Sequence, residues 1–112
     1  MARTHSLLTV SISELLILRL LRGRPMYGYE LAKSIQASSG EVIRMGEGVL
    51  YPLLHVLERQ GLLRSRRQAV NGRTRVYYAV TAKGGRRLAQ LSERWQRIST
   101  GVEAALKERS HA

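Results

Sequence analysis

A tight turn at Asn71-Gly72 constrains the fold of this chain more than any other feature of its sequence. Asn and Gly both tolerate the positive φ angles of a two-residue hairpin turn, and two strand-like runs, 62–68 and 74–80, flank the pair. In the second run, side-chain alternation predicts an inward face of Val76, Tyr78 and Val80 and an outward face of Arg73, Arg75 and Tyr77. The sequence therefore predicts one basic β-hairpin.

Helical patterns precede this hairpin. Residues 11–21 are apolar on nearly every side, which predicts a largely buried helix that begins with a capping-box pair, Ser11 and Glu14. A short second helix is predicted over 29–36, and residues 41–45 could form a short extended piece.

The third predicted helix contains Pro52, which we expect in the first turn because proline lacks an amide proton. This sets the helix start near Gly48, and the helix should run to about Gln60 and end at Gly61. At ~100° per residue, one face is apolar and predicted to join the core: Leu50, Leu53, Leu54 and Leu57. The other face is available to a ligand or to water: Gly48, Tyr51, Pro52, His55 and Arg59.

Thr81 is the predicted N-cap of a last helix of about 25 residues. Apolar residues on it alternate steps of three and four, the pattern of a helix-packing seam: Leu88, Leu91, Trp95, Ile98, Val102 and Ala105. One terminal helix cannot bury such a seam in a small domain, so we predict a dimer interface formed by the first five of these residues and Leu106. The alternative is that the seam packs back on its own domain.

The order of elements predicts an α+β, mostly α fold: a winged helix-turn-helix domain followed by a long C-terminal dimerisation helix. We expect an N-terminal arm over 1–10, the winged-helix domain over 11–81, and the dimerisation helix with a short tail over 82–112.

Basic residues are concentrated in the second half of the chain. The net charge is +11, and the segment 59–97 holds eleven basic residues and one acid, which favours a polyanion partner over a merely solubilising surface. The absence of cysteine excludes thiol chemistry and disulfides. No signal peptide or membrane span is evident, so a cytoplasmic location is expected.

Three blocks of sequence resemble the PadR-like transcriptional regulators, in particular a short subgroup with one C-terminal helix. The blocks are 25–31 (PMYGYEL), 48–52 (GVLYP) with 57–58 and 61–62, and 72–73 with 77–81 (YYAVT) and Gly84. The resemblance covers about residues 11–106. It implies a homodimer that binds a near-palindromic operator in double-stranded DNA, most often as a repressor, and often releases it when a small molecule or other signal arrives.

On this interpretation, Gly48 lets the helix N-terminus approach a phosphate, Tyr51 donates to phosphate, His55 reaches a base edge and Arg59 meets the DNA backbone. Pro52 is the remaining residue of the predicted DNA-binding surface on this helix. Arg73 and Arg75 on the wing should supply mostly nonspecific affinity, although they could instead be charges that only discourage aggregation at a strand edge.

Trp95 has two interpretations. It could be a structural anchor of the dimer interface. The resemblance to short members of the family implies instead that a pair of Trp95 side chains flanks a cavity and stacks on a planar apolar effector.

Three other functions compete with the DNA-binding interpretation. An enzyme is disfavoured because His5, His55 and His111 are scattered, Asp is absent, and neither metal-ligand spacing nor a phosphate-binding loop occurs, so no metal or cofactor is expected. An RNA-binding module is permitted by charge, but aromatic stacking platforms are absent, since Tyr77 and Tyr78 point to opposite faces. A winged helix that binds only protein would normally be less basic.

Overall fold

The computed structural model describes residues 2–108, and the surroundings of side chains from Ile12 onward. The end of the predicted tail, 109–112 with His111, lies outside the described residues. The elements are α1 (Ala2–Gly23), β1 (Met26–Tyr27), α2 (Gly28–Ser38), α3 (Glu47–Arg59), β2 (Leu63–Val70), β3 (Arg73–Val80) and α4 (Ala82–Glu108). The predicted α+β, mostly helical class and the winged helix-turn-helix order are confirmed.

The strands form one antiparallel sheet in the order β1-β3-β2. The predicted hairpin is confirmed, because β2 and β3 pair from Leu63↔Val80 to Val70↔Arg73, and Asn71 and Gly72 adopt φ angles of 51° and 76° in the turn. The sequence did not predict β1. A strand of two residues is too short to show an alternating pattern, and it exists here because β3 offers a free edge to Met26 and Tyr27.

A single hydrophobic core joins all four helices to the sheet. Its fully buried side chains come mainly from the first three helices: Ile17, Leu18, Leu21, Leu31, Ile35, Leu50, Leu54 and Leu57. Tyr78 and Met26 bring the sheet into this core, and Leu88 and Leu91 bring in the start of α4. Burial of a large apolar side chain contributes ~1.5–3 kcal/mol, so the core accounts for the arrangement of the elements around it.

Two predictions about local structure differ from the structure: the start of the first helix and the extended piece at 41–45. The first helix begins at Ala2, not at a capping box on Ser11, so most of the predicted arm continues α1. No Gly or Pro interrupts residues 2–22, which explains why the helix extends upstream. The extended piece predicted at 41–45 is not a strand: residues 42–46 have no regular structure, and they follow a turn in which Gly40 and Glu41 adopt positive φ.

The base of α4 is fixed to the hairpin and to α3. As predicted, Thr81 caps the helix: its Oγ1 accepts a hydrogen bond of 3.0 Å from the Gly84 amide and donates one of 2.6 Å to the Gly61 carbonyl. Steric crowding requires glycine at position 84, since a Cβ there would collide with the Leu62 carbonyl oxygen.

An ion pair connects α4 to α1. Arg87 donates through Nε to Glu14 Oε2 at 2.9 Å and through a terminal nitrogen to Oε1 at 3.3 Å. The Glu14 side chain is only 9% exposed, and its hydrogen bond with Arg87 raises the pKa of the guanidinium. Glu14, which was expected to cap a helix start, therefore joins the middle of α1 to the second turn of α4.

We expect Arg87→Met to lower the free energy of unfolding by about 2 kcal/mol, because it leaves the buried Glu14 carboxylate without its partner. Urea denaturation measures the loss. Arg86→Met is the matched control: Arg86 is exposed one residue earlier, so its loss should stay within ~0.5 kcal/mol. Equal losses in the two variants would contradict a stabilising role for the ion pair.

Candidate nucleic-acid interface

Helix α3 has one buried and one exposed side, as predicted. Leu50, Leu54 and Leu57 are at most 1% exposed and Leu53 is half-buried. The opposite side is exposed at Gly48, Pro52, His55 and Arg59. Tyr51 differs, because it is half-buried at the border between the two sides.

The predicted start of α3 near Gly48 is correct to one residue, but the expectation that Pro52 lies in the first turn is wrong. The helix begins at Glu47 after an N-cap at Gly46, so Pro52 is the sixth helical residue and not part of the first turn. Since proline has no N–H, the Gly48 carbonyl four residues earlier receives no intrahelical hydrogen bond from it. Gly48 is exposed, so this carbonyl is open to water or to a ligand.

A contact with α2 holds Tyr51 in place. The ring and hydroxyl of Tyr51 lie directly against Gly28, the first residue of α2, where a Cβ would have no room. This contact explains the half-buried state of Tyr51 and fixes where its hydroxyl lies. Sequence analysis missed the contact because Gly28 and Tyr51 are far apart along the chain.

A concavity of 350 Å³ separates α3 from the sheet. It brings His55 and Tyr51 of α3 together with Arg75 of β3. Its remaining lining comes from the start of α2 and from the sheet: Tyr27, Gly28, Thr74, Val76 and Tyr78. Burial raises the pKa of the Tyr78 phenol, and the nearby Glu58 and Tyr51 raise it further, so this phenol stays neutral and can act as a hydrogen-bond donor.

The two predicted wing arginines have different surroundings. Arg73 is exposed next to the hairpin turn. Arg75 is half-buried, and its guanidinium lies over the Tyr27 ring, 4.3 Å from the centroid, in cation–π contact. Tyr27 therefore holds Arg75 beside the concavity, whereas Arg73 remains free to follow a partner surface.

The outer face of the sheet carries an aromatic pair that sequence analysis missed. Tyr77 and Tyr78 do point to opposite faces, but β1 brings Tyr27 beside Tyr77, with centroids 5.5 Å apart and planes at 70°. Because the rings meet edge to face and Arg75 covers Tyr27, they do not form a flat stacking platform. The hairpin 63–80 contains five arginines and no acid.

The apolar seam of α4 divides into two parts. Leu88 and Leu91 are buried in the core of their own chain, which corrects their assignment to a dimer interface. Beyond Leu91, four large apolar side chains of α4 are 42–69% exposed: Trp95, Ile98, Val102 and Leu106.

Among the side chains described, those of residues 12–108, no three His or Glu come close enough together to hold a metal ion. No helix within residues 2–108 is both long and apolar enough to cross a membrane.

Comparisons with known proteins agree with this architecture. The model of the transcriptional regulator PadR-like family matches residues 17–90. An uncharacterized protein from Lysinibacillus sphaericus is 29% identical over 89 residues, which cover 79% of this chain and 82% of that protein.

Solved structures of similar proteins share the fold along most of the chain. A PadR family transcriptional regulator from Eggerthella lenta is 34% identical, with a TM-score of 0.74, and the match covers 94% of this chain and 92% of the other. A PadR-like transcriptional regulator from Bacillus cereus is 30% identical, with a TM-score of 0.74 and coverage of 85% and 91%. The chain therefore belongs to the PadR-like family of transcriptional regulators.

Proposed function

We propose that this regulator is a homodimeric repressor that binds a near-palindromic operator in double-stranded DNA and leaves it when a small-molecule or other signal arrives. One observation carries the proposal: the exposed side of α3 lies beside a hairpin with five arginines and no acid. A helix with one exposed side, next to a hairpin of positive net charge, suits binding in a major groove and to its phosphates.

The N-terminal part of α3 suits a close approach to the DNA backbone. Gly48 has helical geometry and open space at its Cβ position, so the fold itself does not require glycine there. A close approach by a phosphate explains the residue, since backbone amides and the helix dipole favour an anion at that end. Tyr51, fixed against Gly28, donates to the same backbone, and Pro52 borders the contact.

Further along α3, His55 is the candidate for a base edge and Arg59 for the backbone. Arg75 extends this surface from the sheet, because the concavity places it with His55. Arg73 contacts backbone from the hairpin tip and adds affinity without sequence information.

Selection from a random duplex library at near-physiological salt, followed by anisotropy titration, tests the proposal. We expect enrichment of an inverted repeat whose half-sites are about 10 base pairs apart, bound in the nanomolar range. Titrations with the single strands and with a duplex RNA of the same sequence serve as controls. Stronger binding to RNA, or no enriched DNA sequence, would contradict the proposed function.

Two variants separate base readout from backbone attraction. His55→Ala should lower affinity for the selected operator by roughly 5- to 150-fold and relax its preference at one position. Arg73→Gln should weaken binding to all duplexes and reduce the slope of log affinity against log salt by about 0.9. An unchanged slope would remove Arg73 from the interface.

Gly28→Ala tests whether Tyr51 acts from a fixed position. In the wild-type background, we expect Gly28→Ala to lower operator affinity about tenfold. When Tyr51→Phe is already present, Gly28→Ala should cause no further loss, because both changes remove the same charge-assisted hydrogen bond from Tyr51 to phosphate. Gly23→Ala, where a Cβ meets open space, should bind as the wild type does. Additive losses would show that Gly28 acts independently of Tyr51. Thermal unfolding verifies that each variant is folded.

A second copy of this chain is the proposed cover for the end of α4. Soluble proteins rarely leave a continuous apolar stripe uncovered, and the four exposed residues recur at the spacing of a helix–helix seam. Since Leu88 and Leu91 are buried in the core of their own chain, the proposed interface consists of Trp95, Ile98, Val102 and Leu106.

We expect Ile98→Glu to convert a dimer into the 12.6 kDa monomer, because a charge would be buried without a partner. Sedimentation equilibrium measures the mass. Thr100→Glu, which adds the same charge at an exposed position on the opposite side of α4, should leave the dimer intact. A monomeric wild-type protein would refute the dimer proposal.

A planar apolar effector would meet this interface at Trp95. Its indole is 43% exposed, and it is the only tryptophan of the chain, so its fluorescence reports the site directly. We expect one or more planar aromatic compounds to quench Trp95 emission and to release the operator at the same concentration. Quenching without operator release would leave Trp95 a structural residue.

A further inference from the structure

Val49 is an exposed apolar side chain that the fold does not explain. It lies in the first turn of α3, is 57% exposed, and does not pack against the core. A β-branched residue is also slightly unfavourable in a helix. Neither packing nor helix propensity therefore accounts for valine at this position.

Its location distinguishes Val49 from an ordinary exposed apolar residue. Val49 and Pro52 are three residues apart, about 60° around the helix, so they are neighbours on its surface. His55, the candidate for a base edge, and Arg59, the candidate for the backbone, come later in α3. Val49 and Pro52 thus present two neighbouring apolar groups in the N-terminal half of α3.

Only one feature of the major groove is apolar, the C5 methyl group of thymine. We propose that Val49 reads a thymine methyl group, with Pro52 beside it, and so specifies one A·T pair in each half-site of the operator. This inference rests on the proposed function, because it needs α3 in a major groove. It extends that function by assigning sequence preference to a side chain that cannot form a hydrogen bond.

Replacing each thymine of the selected operator in turn by deoxyuridine provides the test. Uracil keeps the hydrogen-bonding pattern of thymine and lacks only the methyl group. For the wild-type protein, we expect one position in each half-site to lose about fourfold in affinity, the value for burial of one methyl group. For Val49→Ala, the loss at that position should disappear, while any losses at other thymines should persist.

Val42→Ala is the matched control. Val42 is 82% exposed in the segment before α3, and its truncation should leave the fourfold loss unchanged. Thermal unfolding should show that both variants fold, since neither side chain joins the core.

An unchanged deoxyuridine penalty in Val49→Ala, or transfer of the effect to Val42→Ala, would overturn the inference. So would equal binding of every deoxyuridine operator by the wild-type protein. In these cases nanomolar, salt-dependent binding to the unmodified operator would still support the proposed function. Absence of sequence-specific duplex binding would overturn both.

Discussion

The burial of Leu50, Leu54 and Leu57 determines where the rest of the candidate interface lies. These side chains are almost completely removed from solvent, and each contributes ~1.5–3 kcal/mol, so α3 has one strongly preferred rotation about its axis. The opposite side must then face outward, with His55 in its middle. Tyr51 lies at the border between the two sides, where Gly28 leaves room for its ring.

The interface is also held in place before any partner binds. Tyr51 is fixed by Gly28, and Arg75 is fixed by the Tyr27 ring. Groups whose positions are set by packing lose less conformational entropy on binding. The short strand β1 contains Tyr27, and Gly28 follows it directly. This two-residue strand therefore positions both of the residues that hold the site in place.

The limited size of the core has a different consequence at α4. The first turns are secured by the Thr81 cap and by the Glu14–Arg87 pair, and the core ends at Leu91. The 27 residues of α4 extend for about 40 Å, and the distal part has no covering element within the described chain. Because the base of α4 is joined to α1, α3 and the hairpin, the proposed dimer contact at its far end would set the relative orientation of the two α3 helices.

The sequence by itself determined the elements that depend on local chemistry. The Asn71-Gly72 turn, the Thr81 cap and the two sides of α3 follow from turn geometry, capping and periodicity, and the structure confirms each of them. Only the tertiary structure decided the contacts between distant segments: Gly28 with Tyr51, Tyr27 with Arg75, Glu14 with Arg87, and the burial of Leu88 and Leu91. A heptad pattern states which side of a helix is apolar, but not which surface covers it, because burial depends on where the rest of the chain lies.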